Sequence, residues 1–528
     1  MLLVLGCGTK EPPAEAMVES DGGQVVPGPM PLRRLSRLEY GHAVRDLFGA
    51  SPEASLGLAS DVTGDSGFST GSLVDEGEAK NLGTVGAEVA TQADPQKLVP
   101  CEVLKTGVEE CGHRFISVFG RRALRRPLSE AEEGAYRSLF DLGRRDLGLA
   151  YSDALRLVIE AMLQSPGFLY HWELGAEAAV EVDGIVELND WEIASRLSFL
   201  LWRTIPDEEL LDSAEAGLLH DTDGLRSQVE RMLDSPKADD TLRSFFLQWL
   251  QISLGGVSKD EERYPEFDAL MATAMEEETV AFAVDLLRNG GTFSDLFRSP
   301  KAFVNGSLGA VYGVEAKGAD LEEVTLDSEE RPGILTRAAF LTSRANAYDG
   351  DPTKRGAVIR RRILCGEIPP PPANIPELPA RTETQTVREQ HEAHMTDAAC
   401  VSCHRLMDPI GFGLGNFDAI GRFHAEEGGQ TVDPSGTVEN LDGEDRKFSD
   451  AAELMEVLAD SAQARACFVR QWFRFSAGRA ELPTEEATVD GLRDRLSGAD
   501  PTLRAFLVAL AVSPLQRFRT PAEGEITQ

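Results

Sequence analysis

Cys400-Val-Ser-Cys403-His404-Arg-Leu-Met-Asp408-Pro-Ile-Gly-Phe412 is the stretch on which the reading of this 528-residue chain turns. Two thiols three residues apart share one helical turn, and an imidazole follows at once. That spacing lets both sulfurs reach the vinyl groups along one porphyrin edge while the imidazole nitrogen lies beneath the iron. The motif therefore predicts haem c, with its iron, bound covalently through Cys400, Cys403 and His404. Three other readings compete. A thioredoxin-like redox pair needs a strand–turn–helix that the flanking sequence lacks. A zinc site needs a second close Cys/His pair, and none appears. A plain disulfide is the third.

The sixth iron ligand decides what such a haem does. Met407 is tethered too close to His404 to cross to the opposite face. Met455 lies in the apolar stripe Ala451, Leu454, Met455 and Leu458, which is the pattern of a core helix. His391, His394 and Met395 precede the motif, and His424 follows it. Arg405 and Arg422 are candidate propionate partners through bidentate bonds, with surface ion pairs as the alternative. Arg360-Arg361-Arg362 and the cluster Arg121, Arg122, Arg125 and Arg126 suit structural ion pairing better than docking. His42, His113, His171 and His220 stand alone and read as packed residues. No Ser/His/Asp order, phosphate loop or dinucleotide fingerprint emerges, and Gly411-Phe-Gly-Leu-Gly415 lacks the necessary spacing.

The formal charge of −36 argues against a nucleic-acid partner, because phosphate repels an acidic surface. A basic redox partner protein is compatible with it. No apolar run approaches the ~18 residues of a membrane span. Met1-Leu-Leu-Val-Leu-Gly-Cys7 ends a short apolar stretch in a cysteine and resembles a bacterial lipobox. Export to the periplasm, outer membrane or cell surface is expected, with membrane contact only through lipid on Cys7. In an oxidising compartment Cys101 and Cys111 are close enough to close a small loop, and Cys365 and Cys467 are left to pair.

The remainder is overwhelmingly helical. Ser36 with Glu39, and Ser129 with Glu132, form capping boxes ahead of helices, and Gly49 stops the first. Residues 50–95 read mainly as loop with room for one helix. Further helices are expected at about 190–202, 207–217, 223–234, 238–252, 266–289, 332–343, 383–397, 462–476 and 502–512, and Ser449 is expected to cap another. Alternation about Asp183-Gly184 predicts a β-hairpin, and the prolines at 369–372 predict an extended linker. Ser165-Pro166 with Phe168 is echoed by Ser513-Pro514 with Phe518. The fold class is mainly α: multi-helical modules in series, a C-terminal cytochrome c-like haem module, and at most small β-hairpins. The expected division is a lipoprotein signal at 1–7, a tether at 8–30, helical modules at 31–95, 100–173 and 178–315, the haem-bearing module at 325–428 and a last helical module at 430–520.

From Cys400 to Arg422 the sequence resembles the planctomycete-type cytochrome c-like family, large exported proteins assembled from successive domains of unknown function. The family pattern is Cys-x-x-Cys-His-x-x-Met-Asp-Pro-x-Gly-Phe followed by Leu-Glu-Asn-Phe-Asp; here Gly415 stands where the family usually has glutamate. Arg34-Leu-Ser-Arg-Leu-Glu-Tyr, Phe119-Gly-Arg-Arg-Ala-Leu-Arg-Arg-Pro, Ala194-Ser-Arg-Leu-Ser-Phe-Leu-Leu-Trp, Pro332-Gly-Ile-Leu-Thr and Ala477-Gly-Arg match the other segments in order. The resemblance implies haem and a multi-helical architecture but no substrate. It also favours His394 as the second metal ligand, because a family histidine lies six residues ahead of the first motif cysteine. Three functions compete: envelope electron transfer, a haem-dependent oxidase or peroxidase, and a haem-based binding or scaffold protein.

Overall fold

Capping chemistry sets where the helices begin. Ser36 and Glu39 close a capping box on helix Arg37–Phe48, which Gly49 ends in the left-handed region at φ 67°. Ser129 with Glu132 opens Glu130–Asp141, and Asn189 with Glu192 opens Asp190–Trp202 in the same way. The computed structural model describes residues 18–20, 23–25, 27–30, 32–49, 52–72, 74–175, 184–370, 381–382, 384–394, 398–495 and 500–521. The fold is mainly helical, and among the described residues the strands form only two-stranded antiparallel sheets. Among the described residues, no helix is long and apolar enough to cross a membrane.

Two hydrophobic cores organise the helices. Leu35, Tyr40, Val44, Phe115, Phe119, Ile159 and Phe168 belong to the first, so the two leading helical stretches share one interior. The second takes in Leu197, Trp249, Phe282, Phe340, Ile410, Leu414, Trp472 and Phe506. At its centre Phe245 stacks on Trp472 with ring centroids 3.7 Å apart. The chain closes on itself: Phe518–Arg519 pairs antiparallel with Val186–Glu187, and the Thr520 N–H donates to the Gly28 carbonyl. Both expected disulfides form, Cys101–Cys111 and Cys365–Cys467, with Cα atoms 5.9 and 5.4 Å apart.

Several expectations change in tertiary context. The one helix for which residues 50–95 had room is there, the 17-residue Glu76–Gln92, capped by Asp75. Its glycines dilute the sequence pattern, yet Gly86 is where the helix nears Gln164. Helix Val108–Ala123 begins within the Cys101–Cys111 loop and carries no side-chain cap at its start. The expected helix at 332–343 divides at Arg337, which adopts extended backbone between Ile334–Thr336 and Ala338–Ser343. That break sends the Arg337 guanidinium to the carbonyls of Ser299 and Lys301. Asp450, not Ser449, caps helix Ala451–Asp460, while the Ser449 N–H donates to Glu453. The arm of the expected hairpin at 184–188 pairs with the C-terminal strand instead; 176–183 lie outside the described residues. The prolines at 371–372 also lie outside them. Both echoed Ser-Pro steps do the same job, each serine hydroxyl donating to the carbonyl three residues back, Met162 and Leu510.

A buried charged cluster joins the two cores. Glu39 meets Arg203 at 3.0 Å and His171 at 3.4 Å, and Arg203 also stacks on Phe475. Burial, reinforced by the Arg33 charge, lowers the His171 imidazole to about 4. An unfolded histidine titrates near 6.5. Between about pH 6.5 and 4 the unfolded chain therefore takes up a proton that the native chain refuses. Stability linked to His171 is complete above that window and declines as pH falls, by at most about 3 kcal/mol. Urea unfolding midpoints measured from pH 7.5 to 4.5 will fall, and His171→Gln will flatten the slope in that range.

Candidate functional site

The motif lies on helix Ala398–Phe412. Cys400 is buried and Cys403 half-buried, and neither enters a disulfide although the chain's other described cysteines all do. The Cys403 thiol lies 3.6 Å from the Pro369 carbonyl. One turn beyond His404 comes Asp408, whose side chain is 0% exposed. The His404 Nδ1–H donates to Asp408 Oδ2 at 2.8 Å, and the Thr353 hydroxyl donates to Oδ1 at 2.8 Å. The bond to Asp408 raises the His404 pKa above its ordinary value against the opposing effect of burial. In the neutral ring this tautomer puts the lone pair on Nε2, the nitrogen suited to a metal.

Helix Pro352–Val358 lies against the motif helix, backbone to backbone. A Cβ on Gly356 would strike the Met407 carbonyl, and one on Gly411 would strike the Pro352 carbonyl. Only glycine permits so close an approach at either point. Arg355, 1% exposed, then donates to the carbonyls of Leu414, Phe417, Asp418 and Leu341. It thereby pins the loop that leaves the motif helix. Asp418 completes that loop by accepting from the main-chain N–H groups of Ile420 and Arg422 and from the Arg422 side chain. Gly421, at φ 82°, takes the left-handed turn the loop needs. The Asn416–Arg422 stretch is thus a structural clamp.

A cleft of about 1190 Å³ opens beside the C-terminal end of the motif helix. Gly411, Phe412, Gly415, His391, His424, Arg388 and Arg422 line it; the motif cysteines and His404 do not. His391 is buried, with Nδ1 2.9 Å from the Val387 carbonyl, and His424 is tied through its backbone to Asn416. His394 ends helix Val387–His394, and its side chain lies outside the described residues. Arg405 is exposed and pairs with Glu439 at 3.3 Å. Arg422 pairs with Asp418 and Glu266 and stacks on Tyr264. Both therefore already hold carboxylates of the protein. Arg121, Arg126, Arg360 and Arg362 are likewise spent on internal carboxylates or carbonyls. Met455 is fully buried in the second core, as its stripe predicts. Among the described residues no group of three or more His, Cys, Asp and Glu side chains converges as a metal site.

Sequence reasoning passes over Asp408 and Thr353. The four-residue step from His404 to Asp408 is a readable signal, since i and i+4 share a helix face. Thr353, 55 residues before Asp408, carries none.

Fold and site together define a disulfide-bonded, multi-helical protein with a Cys-x-x-Cys-His turn, its two cysteines outside any disulfide, packed onto its larger core. Five family models match in chain order, each described as a protein of unknown function: DUF1587 at residues 33–94, DUF1595 at 111–173, DUF1592 at 188–314, DUF1588 at 331–427 and DUF1585 at 444–515. That series of domains is the arrangement of the planctomycete cytochrome c-type repeat family. No curated protein and no solved structure matches the chain.

Proposed function

We propose that this chain is an exported c-type haem protein that transfers electrons at the cell envelope. Its haem would be held through Cys400, Cys403 and His404, its membrane contact would be a lipid on Cys7, and its partner would be a second redox protein. One observation carries the reading: two thiols left unpaired among disulfides, one helical turn apart, beside a histidine whose Nδ1 is committed to a buried carboxylate. This donor set fits the group. Haem, when bound, supplies a one-electron iron couple. Cys400 and Cys403 would fix the porphyrin edge, His404 would ligate through Nε2, and the Ile410 and Leu414 side chains hold the helix to the core. His394 remains the proposed second ligand. Arg405 and Arg422 already pair with Glu439, and with Asp418 and Glu266, so a propionate would share their guanidinium groups with those carboxylates.

The test is a pyridine haemochrome spectrum and an intact mass on protein made with the haem-attachment machinery. Expected is one haem per chain, absent from the Cys400→Ser/Cys403→Ser variant. A mass with no added tetrapyrrole, or a Cys400–Cys403 disulfide, would end this reading. The cleft beside the helix favours a second one, a haem-dependent oxidoreductase, because it opens next to the motif helix and is large enough to admit a small molecule. Carbon monoxide separates the two: refusal by the reduced protein marks two strong axial ligands and electron transfer, whereas rapid binding marks the enzyme.

A further inference from the structure

Asp408 stands out among the acidic side chains because it is wholly enclosed and its only ion-pair partner among the described residues is an imidazole. Burying a carboxylate without a strong cation is costly. Holding a histidine ring in place requires far less, since any backbone carbonyl can accept the Nδ1–H. The two oxygens here are used differently: Oδ2 faces His404, and Oδ1 takes the Thr353 hydroxyl. Thr353 rides on helix Pro352–Val358, locked against the motif helix at Gly356 and Gly411. The Asp408 carboxylate is consequently held by main-chain packing, away from water, with half-buried His404 and Thr353 on its two oxygens.

We propose that Asp408 is a positioning residue that sets the redox potential of this site by charging the ring of His404. A full negative charge on the Nδ1–H draws the proton outward and makes Nε2 the stronger donor. A stronger donor and a nearby negative charge both favour Fe(III) over Fe(II), so the midpoint potential is held low. No bond forms or breaks in this effect; one electron enters or leaves a site whose charge Asp408 has biased. Thr353 moderates it, because its hydroxyl draws charge from the carboxylate. The inference rests on the haem reading above.

Wild type, Asp408→Asn and Thr353→Val are loaded in parallel, haem is counted by pyridine haemochrome, and midpoints are read by spectroelectrochemistry. Asp408→Asn should shift the reduction equilibrium at least tenfold toward the reduced form, a rise of about 59 mV for one electron. Thr353→Val should shift it the other way, because the carboxylate then bears on His404 alone. A role in packing alone would not give opposite signs. Should Asp408→Asn fail to fold, Thr353→Val decides alone. Haem-bearing variants with unmoved midpoints, or moved in one common direction, overturn the role of Asp408 and leave the haem reading standing. Wild type without haem overturns both.

Discussion

Gly356→Val will unfold the larger core at a much lower urea concentration, with a loss of about 3 kcal/mol or more. The cause is local and rigid. A side chain at this position points into the Met407 main-chain carbonyl, and a backbone atom in a packed helix has nowhere to retreat. The two helices must separate, taking Ile410 and Leu414 out of the second core. Tryptophan emission follows the event, since Trp202, Trp249 and Trp472 all lie in that core. Gly134 provides the control. It is exposed in helix Glu130–Asp141, and a methyl added there would meet nothing within 4 Å, so Gly134→Ala should stabilise by about 0.5–1 kcal/mol. Adding a side chain thus carries opposite signs at two helical glycines. A Gly356→Val protein with wild-type urea resistance would contradict the packing described here.

Glu39→Ala should cost about 3–5 kcal/mol and uncouple the two cores. Burial by itself would push the Glu39 carboxyl up; the charges of Arg203 and Arg33, with the hydrogen bond from His171, outweigh it and hold the group well below its ordinary value. The carboxylate also accepts the Ser36 N–H at 2.7 Å, so its loss removes a helix cap as well as an anion. Arg203, which caps the end of helix Asp190–Trp202, is left enclosed without its partner. Limited proteolysis should then cut within residues 31–173 at urea concentrations the wild type withstands. Glu39→Gln, which keeps the cap bond, should lose less. A cost under about 1 kcal/mol for the alanine variant would mean the cluster does not hold the cores together.

The charge clusters show where the legibility of the sequence ends. Arg121 to Arg126 is readable as an ion-pairing group, but not that Arg125 turns inward to the Phe168, Gly167 and Tyr170 carbonyls. His171 is readable as a packed residue, but not as neutral beside an ionised Glu39. At the motif, the thiol and imidazole spacing is a property of one helical turn. The carboxylate behind it lies on the next turn of the same helix, while the hydroxyl behind the carboxylate comes from another helix.

By itself the sequence determined the helical character, most of the caps and the thiol–imidazole turn, because each depends on residues a few positions apart; it suggested the two disulfide pairs without fixing them. Tertiary structure alone decided that five successive domains would share two cores, that Gly356 would bring two backbones into contact, and that Asp408 would lose all contact with water. Those outcomes depend on surfaces brought together from positions tens to hundreds of residues apart. Their energies come from burial and close packing, which no local spacing encodes.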